Sequence, residues 1–332
     1  VLPIEVYGLS LVATTPLRSP EELLAQCAAG ITACWYLRKG KDLAFANDTV
    51  SRYIPTLKHL VTNGKGTQRK DAAELLAQCF LLKAPLAWNL TTANDAITYA
   101  QQAEAWSTIT DNRLLQVTAL RTEAATFCYA NQWEQALQAA EKAKHLLETK
   151  EKRTPSQSVE KPIPQLVYSY VYAGLATYRA YDGQEEDALQ AIKQAHEAFF
   201  KRPATEEVPI WIDHNIGNLL INDGETHMHL WLHKDALRSF GQIDTQYSQD
   251  ATISSTGRIN ALIKQAMAEV DRDDQPRDIE QCIDYWSKGI EGAKVLQSNQ
   301  HFNEAITAYA AMRAAWPGEQ RVKKLKELIV HW

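Results

Sequence analysis

Residues that break helices are scarce in this chain: 14 glycines and 12 prolines in 332 residues exclude collagen-like and Pro/Gly-rich disordered architectures. Cysteines are few and scattered. Cys27, Cys34, Cys79, Cys128 and Cys282 form no C-x-x-C pair, which excludes a zinc ribbon or a thioredoxin-like redox pair. Each lies in a helical, largely apolar stretch where a free thiol acts as a small hydrophobe, so a reducing, cytoplasmic setting is expected. No run of about 18 apolar residues is present, and no membrane span is expected. The formal net charge of -5 supplies no cationic field for phosphate, so direct nucleic-acid binding by this stretch is not expected. G-x-S-x-G, G-x-x-x-x-G-K-[ST] and G-x-G-x-x-G are all missing, which points away from an enzyme and from a cofactor.

What the chain does contain is self-similarity. Alanine anchors recur with small residues before them and bulky or small apolar residues after them. Around Ala136 the frame gives Leu120, Ala124, Phe127, Ala140 and Ala143. Around Ala96 it gives Phe80, Ala84, Ala100 and Ala103, and around Ala188 it gives Tyr172, Ala176, Ile192 and Ala195. Around Ala236 it gives Leu220, Gly224, Phe240 and Ile243, and around Ala305 it gives Gly289, Ala293, Tyr309, Met312 and Pro317. Weaker copies sit on Ala46 and Cys282. Two helices cross closely where small residues face one another, and the side chain four places after the anchor fills the gap. "GAKVLQSNQHFNEAITAYAAMRAAWP" in this register resembles the tetratricopeptide repeat. That resemblance implies an all-α fold, with TPR-like antiparallel helical hairpins stacked into a right-handed superhelical solenoid.

The organisation expected is an extended arm or linker over 1–19, a degenerate repeat array over 20–317 and a C-terminal capping helix over 318–332. The chain opens on Val rather than Met, so the arm is expected either to pack in extended form or to link to a missing upstream domain. Fourteen helices are expected, among them 69–84, 92–107, 209–223 and 319–330. Anchors recur at 50, 40, 52, 48, 46 and 23 residues. The short last interval implies that the helix from about Asp278 to Gln297 serves two neighbours. Pro55 and Pro85 fall within helical patterns, where a kink or break is expected. "TKEKRTPSQSVEKPIP" (149–164) has no apolar period and reads as a long loop. Phe45 and Tyr178 stand off the frame.

Histidines are densest at His214, His227, His229 and His233. A spacing of four can place two imidazoles on one helix face for zinc. The frame, however, puts a turn between His229 and His233, and no H-E-x-x-H motif is present, so no metal site is expected. Acidic runs such as "DRDDQPRD" and "GQEED" fall at corners, where carboxylates cap the following helix. The last helix, "EQRVKKLKELIVHW", is amphipathic and suited to covering the exposed end of the array.

The same frame projects residues onto a concave face. Ligand-groove candidates are Gln78, Trp88, Asn89, Arg121, Tyr129, Tyr170, Tyr181, Asn218, Asn222 and Glu225. Amides spaced four apart, as Asn218 and Asn222 are, suit an extended peptide backbone, and Tyr supplies contact area at low entropic cost. Alternatively these groups bond one another across a partly filled interior. "SPEELLAQCAAGITACWYL", "VSRYIPTLKHLV" and "EAITAYAAMRAAWPGEQRVKKLKEL" are similar to the repeat region of bacterial helix-turn-helix transcriptional regulators. That resemblance implies a sensor or oligomerisation module, compatible with a homodimer, that binds a peptide or protein ligand. The competing expectation is a constitutive protein–protein interaction scaffold, with a metal-dependent enzyme using the His214, His227, His229 and His233 cluster a distant third.

Overall fold

The computed structural model describes residues 19–40, 42–149, 162–273 and 276–330. The arm expected over 1–19, apart from Ser19, and most of the 149–164 segment lie outside these residues. All regular structure among the described residues is helical. The helices are α1 (Pro20–Lys39), α2 (Leu43–Asn63), α3 (Gly66–Leu90), α4 (Ala93–Ser107), α5 (Arg113–Tyr129), α6 (Trp133–Glu148), α7 (Gln165–Tyr181) and α8 (Glu185–Lys201). They continue as α9 (Ile216–His229), α10 (His233–Asp244), α11 (Ser255–Asp271), α12 (Ile279–Val295), α13 (Asn299–Ala315), α14 (Gln320–Lys324) and α15 (Lys326–Val330).

Local chemistry starts and stops these helices. Ser19 and Glu22 form a reciprocal capping box with Pro20 in the first turn. Thr92, Asn112, Asn215, Ser254, Asp278 and Ser298 each accept a backbone N–H of the helix they precede. The corners repeat as well. Asn131, Gly183 and Trp231 take left-handed φ of 59°, 75° and 60°. Each stands five residues before its anchor: Ala136, Ala188 and Ala236. Beside them the N–H of Gln132, Gln184 and Leu232 reaches back to the carbonyl of Phe127, Arg179 and His227, closing a Schellman-type turn. Glycine is at ease in that conformation; Trp231 is a bulky exception.

Consecutive helices pack as antiparallel hairpins: α1–α2, α3–α4, α5–α6, α7–α8, α9–α10 and α11–α12. The anchors Ala46, Ala96, Ala136, Ala188, Ala236, Cys282 and Ala305 are fully buried. At Gly224 the fit to the partner helix is close: an added Cβ would stand 2.5 Å from the Phe240 ring. Phe240 is the residue four places after its anchor. Helix α12 packs on both α11 and α13, as the short interval implied. Gly289 and Gly292 press against Ile263 and Ile259 of α11, while Trp286 Nε1 donates to the Ala305 carbonyl at 2.7 Å.

Several expectations need correction. α2 and α3 run unbroken through Pro55 and Pro85. Around Pro85, Leu81, Leu82, Ala84, Leu86 and Ala87 are all buried, so tertiary packing outweighs the local cost of a proline. The helix expected at 209–223 begins at Ile216 and runs to His229, because Asn215, not an earlier residue, supplies the cap. The expected terminal helix is two short ones, α14 and α15, with Val322 and Leu325 buried against the last hairpin. Tyr178, off the frame, is buried, whereas Phe45 is 62% exposed.

The array also returns on itself. Ser298 Oγ at the start of α13 donates to Asn89 Oδ1 at the end of α3, 2.7 Å away, and Asn299 Nδ2 donates to the Leu90 carbonyl. On another side, Arg38 of α1 pairs with Asp213 in the segment before α9. The first helices of the hairpins therefore enclose an interior.

Candidate functional site

Two adjoining hollows occupy that interior. The first is a cavity of about 200 Å³ and the second a chamber of about 550 Å³. Trp88, Cys128, Tyr129, Glu225 and Gln300 line both. Of the residues projected onto a concave face, Trp88, Asn89, Arg121, Tyr129, Tyr170, Asn218, Asn222 and Glu225 border the cavity. Tyr181 borders the chamber only. Gln78 borders neither hollow: it lies half-buried on α3, one turn short of Leu81, where the cavity lining on that helix begins.

The amides are engaged within the interior. Asn222 Nδ2 donates to the Asn218 carbonyl at 2.7 Å, and Asn218 Nδ2 donates to the Asp213 carbonyl at 3.2 Å. Asn222 Oδ1 accepts from Thr177 at 3.3 Å and from Arg121 at 3.4 Å. Asn89 is engaged on both sides, accepting from Ser298 and donating to the Pro85 carbonyl.

Arg121 of α5 stands at the middle of the cavity wall, only 5% exposed. Its Nε donates to the Tyr170 carbonyl at 3.1 Å and its Nη1 to the Tyr178 hydroxyl at 2.7 Å. The guanidinium also lies 4.8 Å from the Tyr170 ring centroid and 5.4 Å from that of Tyr178, within cation–π range. Gly174 makes room for it, since a Cβ there would stand 2.2 Å from Arg121 Nε. Nearby His214 accepts or donates a hydrogen bond with Ser169 at 2.9 Å. Burial, and then the Arg121 charge, push its pKa down to about 3, so the imidazole is neutral at ordinary pH. Burial works against ionisation of Asp213, but Arg38 outweighs it and holds that carboxyl below the usual range.

The chamber has a different character. Lys264 Nζ of α11 pairs with Glu225 Oε1 at 3.1 Å, with side chains only 10% and 8% exposed. Burial opposes the ammonium, yet Glu225 and Glu304 keep it charged well above the lysine norm. On α13, His301 Nδ1 lies 3.1 Å from Glu304 Oε2. Despite burial, that contact and Lys264 bring Glu304 down to about 2. Aromatic walls complete the space: Trp88 stacks on Tyr129 at 5.1 Å and Trp133 on Tyr181 at 3.7 Å.

Sequence reasoning missed the residues that α1, α11 and α13 contribute, namely Trp35, Arg38, Asn260, Lys264, Gln300, His301 and Glu304. Extending the first-helix rule to α1 and α11 would have found part of this set. No sequence signal places α13 beside α3.

The histidine cluster disperses. His214 contacts Ser169, Tyr170 and Phe199. His227 pairs with Asp223 at 2.9 Å, His229 packs on Tyr181, and His233 meets the edge of Trp231. Among the described residues, no group of three or more His, Cys, Asp or Glu side chains is arranged to hold a metal ion. None of the helices among them is long and apolar enough to cross a membrane.

No family model matches the chain, and no curated protein matches it. Among solved structures, a kinesin light chain with nearly identical TPR-like repeats from Podosopora anserina aligns over 70% of this chain and 100% of its own, at 13% identity and a TM-score of 0.40. A likeness at that level says nothing of what this chain binds.

Proposed function

We propose that the chain is a non-enzymatic binding module whose enclosed face receives a short peptide or a segment of a protein, as the sensor or oligomerisation part of a bacterial transcriptional regulator. The observation that supports this reading is the composition of the interior. Charged groups of both signs and stacked aromatics face hollows that the helical array could have filled with aliphatic side chains at lower cost. A ligand entering there would favour one curvature of the array over another, with the Ser298–Asn89 contact as the seam that opens or holds.

Thermal unfolding of the chain with pooled short peptides tests this. A ligand present at 100 times its Kd stabilises the folded state by about 2.7 kcal/mol, a rise of several degrees in Tm. The rise should vanish in Tyr129→Ala, which removes one wall of the chamber. Peptides that stabilise neither protein would defeat the reading. The second reading, a constitutive scaffold, gains support if a protein partner co-purifies in fixed stoichiometry and resists displacement by peptides.

A further inference from the structure

We infer that Arg121 is the centre of an anion site within the enclosed array, and that it takes the carboxylate of a small organic acid whose flat body lies against Trp88 and Tyr129. The inference names a ligand group for the same interior and so rests on the reading that this interior receives a ligand.

Arg121 is buried with its charge unpaired. Its acceptors are the Tyr170 carbonyl, the Tyr178 hydroxyl and the Asn222 side-chain oxygen, all neutral. No carboxylate of the described residues pairs with it. The two acids at the cavity wall are committed elsewhere, Asp213 to Arg38 and Glu225 to Lys264. A guanidinium isolated in this way carries a desolvation cost that only an anion fully offsets. The aromatic faces of Tyr170 and Tyr178 offset a part.

The remaining donors have the right form. A guanidinium has five N–H groups, and the three contacts above use one each on Nε, Nη1 and Nη2. One N–H is left on each terminal nitrogen, the number of donors that a bidentate carboxylate contact needs. One positive charge balances a monoanion, whereas a phosphate dianion would bring a second, unmatched charge into a low-dielectric space.

A second observation is independent of Arg121. Three buried residues of the same lining hold side-chain polar atoms with no protein partner: Trp35 Nε1, His214 Nδ1 and Asn260 Oδ1. They are 3%, 5% and 6% exposed. Buried polar atoms are ordinarily satisfied, and three orphans around one cavity mark a place built for a polar guest. At about 200 Å³ the cavity is below the range of about 300–1,000 Å³ typical of drug-sized ligands. It therefore accepts one functional group, and the body of the acid extends into the chamber past the Trp88–Tyr129 stack.

The test uses the full chain with phenylacetate and indole-3-acetate, each beside its own primary amide, and with inorganic phosphate. Binding is followed by calorimetry. The acids should bind at least about tenfold more tightly than the amides, a difference of about 1.4 kcal/mol, and phosphate should not displace them. Arg121→Gln should erase the preference for acid over amide. Because that change also removes three internal hydrogen bonds, two further variants carry the test. Arg121→Lys keeps the charge but loses the fork, and should retain only part of the preference. Asn260→Asp sets a competing carboxylate in the lining and should weaken the acids while sparing the amides.

Acids and amides that bind alike, acids that do not bind at all, or displacement by phosphate would each overturn the inference. Short peptides that bind equally with free and amidated ends would overturn it while leaving the peptide reading intact. Acids that bind where no peptide does would have the opposite effect.

Discussion

Gly224 and Glu225 are neighbours in α9, and they face two different worlds. Gly224 turns to the joint with α10, where the absent side chain lets the Phe240 ring close to within 2.5 Å of a would-be Cβ. Glu225 turns inward and meets Lys264 across the chamber at 3.1 Å. The joint is stabilised by apolar burial and close fit, which reward every atom removed from water. The interior is held by charges whose desolvation consumes most of what their attraction returns. Joints of the first kind make the array stable enough to carry an interior of the second kind, and that interior is where the proposed recognition would take place.

The sharpest way to break this contrast is Lys264→Met, which leaves Glu225 buried without its cation. A loss of about 3–5 kcal/mol is expected in urea unfolding. The double change Lys264→Met with Glu225→Leu should recover most of it, and a neutral single variant would show that the interior is not electrostatically costly. At the joint, Gly224→Val should lower stability by about 1–3 kcal/mol through overpacking against Phe240, with partial relief from Phe240→Leu.

The buried His214 supplies a pH test. Its folded pKa, about 3, lies below the unfolded value of about 6.5, so the unfolded chain gains the proton first as pH falls. Its contribution is complete above pH about 6.5 and is lost on acidification at up to about 1.4 kcal/mol per pH unit. Thermal unfolding between pH 7.5 and 5 should show that slope, flattened in His214→Phe. His227 has the opposite sign: although burial disfavours its charge, Asp223 raises its pKa, so its smaller contribution is lost as pH rises. The smallest effect is expected at the seam. Asn89→Ala removes the acceptor of Ser298 and should cost about 1 kcal/mol, while small-angle scattering reports a larger radius for the opened array.

Much of the joint is legible in the order of the amino acids. The anchor alanines, the phenylalanine after Ala236 and the turn between His229 and His233 all follow from spacing, because a contact that recurs with every hairpin leaves a periodic trace. Eight of the ten residues projected inward border the cavity, since the helical period fixes which side of a first helix they share. Three matters were not legible. Pro85 reads as a breaker locally, yet buried neighbours carry α3 through it. Asn218 and Asn222 read either as holders of a peptide or as mutually bonded groups, and only the fold supplies the carbonyls of Asp213 and Asn218 to which they donate. Gln78 has the right phase but the wrong height along α3.

Helix type, hairpin register and the small-residue joints are determined by the sequence alone, because they depend on contacts within a few turns of the chain. The return of α13 to α3, the pairing of Lys264 with Glu225 and the isolation of Arg121 are decided only in the tertiary structure. Ser298 and Asn89 are separated by 209 positions, and what brings them together is the sum of small rotations from hairpin to hairpin. No single residue encodes that sum, so closure, and the hollow it creates, exists only once the whole array has packed.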